Sequence, residues 1–269
     1  MSYIDAIIYG IIQGLTEFLP VSSSGHLALL PSLLTIKDPG VSFDLAMHLG
    51  TALAIICYFY RDILSLLKNA FLLLNLKAEM TNEKRRSLHM IIATFATGVI
   101  AISIRGFAEE YGRSNPFIAF NLIVFGILMW ISDAKFKESD EEVLVQKGSW
   151  KQALLIGLFQ SIALFPGVSR SGITLTTARF LSISRNEASR FSFLLSLPLI
   201  IGGALLKFPE IIKGNEAFDI YSCFVGVGVS FIVGLLTIHF FLKFIKKIGL
   251  LPFAIYRFIT AVLVLLLLY

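Results

Sequence analysis

The chain has 269 residues, 56% of them hydrophobic and 15% charged, with a net charge of +5 and a mean hydropathy of +0.81. Soluble domains carry about 25% charged residues, so a soluble globule is excluded, and no polar stretch is long enough for a second domain. In so apolar a chain the positive excess belongs to cytoplasmic loops, which argues against nucleic-acid binding, and the two cysteines, Cys57 and Cys223, supply neither a disulfide framework nor a zinc site.

The amino terminus, MSYIDAIIYG, contains Asp5 and no basic leader, so no signal peptide is expected. The first apolar segment, 2–35, is interrupted by FLPVSSSGH at Phe18–His26. Three apolar runs follow at 42–60, 86–105 and 116–134. A second interrupted segment, 150–182, contains FPGVSRSGIT at Phe165–Thr174 and is followed by runs at 187–207, 217–242 and 250–269. Each uninterrupted run approaches the roughly 20 residues that a helix needs to cross a bilayer. The interrupted ones cannot be straight helices, because proline removes a backbone donor and serines favour caps.

A shift of 147 residues superposes the two interrupted segments without gaps. It pairs Gly10 with Gly157, Gln13 with Gln160, Phe18 with Phe165, Val21 with Val168, Ser22 with Ser169, Ser24 with Ser171 and Gly25 with Gly172. The chain is thus one integral membrane domain, 1–269, built as two repeats: one at about 1–135, one at about 149–269, and a cytoplasmic linker at about 135–149. Most lysines and arginines lie in 61–86, 135–151, 179–190 and 243–247; the alternate connections hold only Lys37, Arg105, Arg113, Lys207 and Lys213. The positive-inside rule then puts the first set in the cytoplasm and both termini outside. Three spans per half is an odd number, so the repeats are inverted. The expected fold is an all-α polytopic membrane protein with six transmembrane helices and two re-entrant helix–loop–helix segments, whose breaks meet near the midplane.

The breaks hold the polar chemistry. Gln13 and Glu17, four apart, share a helix face, and an ionisable Glu17 at membrane depth points to function. The bland alternative is a carboxylate that pairs with an arginine and ties the halves together. Ser22, Ser23 and Ser24 follow Pro20, where capping accounts for one or two of them; a serine becomes a nucleophile when a base stands beside it. His26 is the only histidine in either break and suits acid–base work, whereas His48, His89 and His239 read as structural. Arg170, between Ser169 and Ser171, suits phosphate oxygens, as do the amides of a starting half-helix; its alternative is an ion pair with Glu17. Together these groups match a phosphate ester or pyrophosphate, for which Glu17 would help hold a divalent cation, and the depth implies a substrate with a lipid tail.

At these motifs the chain resembles the undecaprenyl-pyrophosphate phosphatase family, the bacitracin-resistance membrane phosphatases. The resemblance rests on Gln13–Glu17 as (E/Q)xxxE running into Pro20–His26, on Pro166–Thr174 as PGxSRSxxT, and on FIKKIGLLPFAIYRF at Phe244–Phe258. It implies hydrolysis of undecaprenyl pyrophosphate to the monophosphate carrier lipid of cell-wall synthesis, bacitracin resistance, dependence on Mg²⁺ or Ca²⁺, and a site on the outer side of the bacterial plasma membrane. It implies Glu17, Ser23, His26 and Arg170 as catalytic, Glu17 also as metal ligand, and Gln13, Ser22, Ser24, Ser169, Ser171 and Thr174 as substrate contacts. Many members carry a second glutamate where this chain has Gln13. The expected partners are a polyprenyl pyrophosphate and the membrane, not nucleic acid, and a homodimer is compatible with them. Two other readings stand beside this one: a transporter or flippase, because inverted repeats with broken helices are common there, and a non-catalytic scaffold.

Overall fold

A computed structural model describes residues 2–34, 39–75, 79–111, 114–136, 144, 148–213 and 220–267. Most of the expected linker at 135–149, together with Lys37, Lys77, Arg113, Lys137 and Lys147, lies outside the described residues.

The described chain is helical. The first half comprises α1 (Tyr3–Thr16), α2 (Ser23–Leu34), α3 (Val41–Tyr58), α4 (Tyr60–Leu72), α5 (Asn82–Tyr111) and α6 (Asn115–Lys135). The second comprises α7 (Trp150–Gln160), a 3₁₀ turn (Ser161–Leu164), α8 (Arg170–Phe180), α9 (Arg185–Lys213), α10 (Ile220–Ile248) and α11 (Leu251–Leu267). Capping boxes start the opening helix of each half: Ser2 with Asp5 on α1, and Ser149 with Gln152 on α7.

Among the described residues, α5, α6, α9 and α10 are long and apolar enough to cross a membrane, and α3 with α4 makes a fifth candidate bent by 82°. The expectation of six straight spans is therefore matched only in part. The run at 42–60 becomes α3 and then turns sharply at Phe59, and the run at 250–269 becomes the 17-residue α11. No proline or glycine marks the turn. Phe59, 1% exposed, is pinned under Arg190 and edge-on to Tyr58, and α4 leaves at the angle this packing dictates.

The two halves interlock. α1 packs on α10 and α7 on α5, so the opening helix of each half lies against a long helix of the other. Small residues permit the approach: a Cβ on Gly10 would sit 2.7 Å from the Gly226 carbonyl oxygen, and one on Gly157 would sit 2.3 Å from that of Ala93. α6 packs on α11 and on α8, and α3 crosses α9 and α10. This crossing brings the end of α1 and the start of α8 to one place.

On the opposite side, Asp133 of α6 ties the second half together. Both its oxygens accept from Arg185, at 2.7 and 3.1 Å, and Oδ2 also accepts from the backbone N–H of Leu250. Buried Arg179 lies 3.2 Å from the same carboxylate.

Candidate functional site

Both breaks use the same backbone device. Ser22 and Ser169 adopt φ of 78° and 72°, the left-handed region that side chains other than glycine rarely occupy. Each hydroxyl then accepts from the N–H three residues on, Ser22 from Gly25 at 3.3 Å and Ser169 from Gly172 at 3.1 Å, and so caps the next half-helix. Ser22 also accepts from the Gly167 N–H at 3.0 Å, and Ser171 donates to the Leu19 carbonyl at 3.1 Å, so the breaks are bonded to each other.

Arg257 of α11 fastens the junction. Its side chain is fully buried and donates to five carbonyls: Leu122, Asn121, Pro20, Gly167 and Val168. Asn121 adds a bond to the Pro166 carbonyl at 2.8 Å. A buried guanidinium is tolerable when its donors are all taken, and here they are taken by the irregular backbone of both breaks.

Against this frame lies a cavity of about 470 Å³ whose wall includes Glu17, Ser23, Ser24, Asp44, His48, Ser169 and Arg170. Glu17, 5% exposed, is its centre. One carboxylate oxygen is ion-paired to Arg170. The other accepts from Gln13 Nε2 at 2.8 Å and from Ser23 Oγ at 2.7 Å. Arg170 also donates to the Ser196 carbonyl at 2.9 Å. A serine hydroxyl that donates to a buried carboxylate beside an arginine is poised to lose its proton next to an anion-binding group.

His48 belongs to this cluster. Its Nδ1–H donates to the Asp44 carbonyl at 2.8 Å, which leaves Nε2, 3.5 Å from Glu17, able to take or give a proton. Its reading as structural is therefore revised. The sequence signal was weak: one histidine on an apolar helix, with no motif around it.

His26 lies elsewhere. Its Nδ1–H donates to the Ser22 carbonyl at 2.8 Å, and Nε2 accepts from the Tyr256 hydroxyl at 2.7 Å, with the two rings stacked. It does not line the cavity. The carbonyl of the strained Ser22 holds the ring against α11, away from Glu17.

The other expected residues divide in two. Ser24 and Ser169 line the cavity. Gln13 supports Glu17 from behind. Ser22 and Ser171 hold the breaks together, and Thr174 donates to the Arg170 carbonyl at 2.8 Å and lies 2.6 Å from Ser192. These four do not line the cavity.

A second cavity of about 470 Å³ adjoins the first between α5 and α9. Its wall is mostly apolar, with Gly98, Ile102, Leu195, Leu199 and Leu206 among its residues beside Thr94, Thr97, Gln160 and Arg105, and Ile102 and Leu206 are also exposed on the outside of the bundle. The polar cavity therefore continues into a greasy slot that reaches the surface facing lipid.

Among the described residues no group of three or more His, Cys, Asp or Glu side chains is arranged to hold a metal. Glu17, Asp44 and His48 nonetheless share the cavity wall. The two carboxylates suit a hard cation completed by phosphate oxygens and water, the imidazole does not, and the set does not suit a cation held by protein alone.

The model of the family described as "Bacitracin resistance protein BacA" matches residues 6–263. The chain is 42% identical over 267 residues to undecaprenyl-diphosphatase 2 of Stutzerimonas stutzeri (strain A1501), covering 99% of this chain and 98% of that one. It is 40% identical over 257 residues to the undecaprenyl-diphosphatase of Alteromonas mediterranea, covering 96% and 95%.

Proposed function

The chain belongs to the BacA family of bacitracin resistance proteins, and from that premise we propose how its residues carry the reaction. The protein is a membrane phosphatase that dephosphorylates undecaprenyl pyrophosphate to the monophosphate and contributes to bacitracin resistance. The observation that carries the residue assignment is the 2.7 Å hydrogen bond from Ser23 to Glu17, with Arg170 on the other carboxylate oxygen.

The distal phosphate enters the polar cavity and the prenyl tail lies in the adjoining slot. Arg170 turns from Glu17 to the phosphate oxygens, which frees the carboxylate. Ser23 Oγ attacks the distal phosphorus and its proton passes to Glu17. The bond from phosphorus to the bridging oxygen breaks, and the lipid monophosphate leaves. His48 takes the serine's proton from Glu17. Water, deprotonated by the freed carboxylate, then attacks the phosphoserine; the bond from phosphorus to Ser23 Oγ breaks, inorganic phosphate leaves, and Oγ recovers a proton from Glu17. Ser24 and Ser169 contact the phosphate, and His26 acts on the site only through Ser22. Mg²⁺ or Ca²⁺, held by Glu17 and Asp44 together with the pyrophosphate, would neutralise charge that develops on the phosphate oxygens.

In this reading α3, α5, α6, α9, α10 and α11 span the bilayer, and the α1–α2 and α7–α8 pairs re-enter it. The basic stretches 61–86, 135–151, 179–190 and 243–247 support cytoplasmic placement of those ends, with both termini and the polar cavity on the outer side. A transporter or scaffold would need no hydroxyl beside a carboxylate.

The test is phosphate release from a long-chain polyprenyl pyrophosphate by the purified full chain in detergent. Wild type should release phosphate with Mg²⁺ or Ca²⁺ and lose that activity in EDTA. Ser23→Ala should fall at least about 10²-fold. A folded Ser23→Ala with near-normal turnover would replace the phosphoserine by a water activated directly on Glu17.

A further inference from the structure

The polar cavity and the apolar slot share a stretch of wall, and its polar side chains are Ser24, Thr97 and Gln160. Gln160 is 1% exposed. Its Nε2 donates to Thr97 Oγ1 at 3.0 Å, and its Oε1 has no hydrogen-bond partner. Thr97 is anchored in turn, within 2.8 Å of the Ala93 carbonyl and 2.9 Å of the Gly157 carbonyl. An amide oxygen buried with nothing to accept is costly and rare.

Its repeat mate differs in what the amide nitrogen serves. Gln13 occupies the same place in α1 and also has an unpartnered Oε1, but it gives its Nε2 to Glu17, four residues on. Four residues after Gln160 stands Leu164. The first amide is committed to the base; the second has no carboxylate to serve, yet it stays buried at the wall of the site.

A lipid pyrophosphate has two unlike phosphates. With the distal one at Glu17, Ser23 and Arg170, the one that bears the prenyl ester must lie where the polar cavity passes into the apolar slot. We propose that Gln160, steadied by Thr97, is a specificity-determining residue that binds this ester phosphate and, after cleavage, the monophosphate of the product. Half a turn of the amide replaces the orphaned Oε1 by a two-hydrogen donor, and the Thr97 hydroxyl can then donate its one hydrogen to Oε1 in place of the Ala93 and Gly157 carbonyls. A neutral donor is suited to this position. It orients the substrate, whereas a second cation there would retain the anionic product. The proposal rests on the phosphatase reading above.

The experiment compares farnesyl monophosphate, which carries an ester phosphate and a tail, with inorganic phosphate, which fits the distal position. Both are tested as inhibitors of wild type, Gln160→Ala and the near-isosteric Gln160→Glu, with thermal unfolding as the control for folding. Farnesyl monophosphate should inhibit Gln160→Ala at least about tenfold more weakly and Gln160→Glu more weakly still, with inhibition by inorganic phosphate unchanged. The KM for the lipid pyrophosphate should rise by more than kcat falls. Unchanged inhibition by farnesyl monophosphate, or an equal loss for both ligands, would overturn the assignment. Should Gln160→Ala not fold, Gln160→Glu decides alone. Calorimetric binding of farnesyl monophosphate repeats the test without turnover, so a wild type that releases no phosphate removes the phosphatase reading and leaves this one to its own outcome.

Discussion

The two breaks have nearly the same backbone and opposite chemistry. Ser22 and Ser169 share a left-handed φ and the same cap to the N–H three residues on. At the positions that face the cavity the copies diverge: Glu17 stands opposite Leu164, and Ser23 opposite Arg170. The first break carries the carboxylate and the hydroxyl, the second the arginine. The two breaks form a similar cradle, and the polar cluster lies where the paired positions differ. Their surroundings differ too. α8 is buried from Ser171 to Arg179, whereas α2 carries exposed and half-buried positions. The helix after the second break is the more buried, although Ser169 and Arg170 border the cavity as Ser23 and Ser24 do.

The sharpest way to break this comparison is to move the carboxylate. Glu17→Ala should lower phosphate release about 10³-fold, and adding Leu164→Glu in the same chain should not restore it, because position 170 carries arginine where a serine would be needed. Substantial rescue would show that the halves are interchangeable.

Arg257 tests the cradle itself. Arg257→Leu leaves five carbonyls of the two breaks and α6 without their donors and should destabilise the fold by about 3–5 kcal/mol, read as a fall in the unfolding midpoint. Arg257→Lys should recover little, since an ammonium cannot reach five acceptors in one plane. A normal midpoint in either variant would mean that the inter-break bonds of Ser22 and Ser171 suffice.

The histidines give a smaller effect. His48→Ala should lower kcat about 10–10²-fold, in line with loss of a proton-transfer group, and His26→Ala by no more than about threefold. The reverse order, measured under saturating substrate, would put His26 back in the reacting cluster. The smallest effect separates strain from capping. Ser22→Gly relieves the left-handed φ while losing the cap, and Ser22→Ala loses the cap and keeps the strain. Ser22→Ala should be the less stable of the two by about 1 kcal/mol in chemical denaturation.

Several of these features were legible in the residues alone. Proline, glycine and serine at Phe18–His26 and Phe165–Thr174 forbid a continuous helix, whatever surrounds them. The spacing of Gln13 and Glu17 puts both on one face of α1, and an acid at membrane depth has few reasons to be there. Hydrophobic length located α5, α6, α9 and α10, because crossing a bilayer is a one-dimensional requirement.

What only the tertiary structure decided concerns direction and partnership. The turn at Phe59 carries no breaker residue; it comes from packing beneath Arg190 and beside Tyr58. His26 sits inside a motif yet faces Tyr256, while His48, in an unremarkable helix, reaches Glu17. Arg257 lies at the far end of the chain from the first break and holds both breaks. Local sequence determines where a helix must stop and which side chains are costly to bury. Which neighbour relieves that cost depends on how α1 packs on α10 and α7 on α5, and that is set by contacts between residues far apart in the chain, such as Gly10 with Gly226 and Gly157 with Ala93.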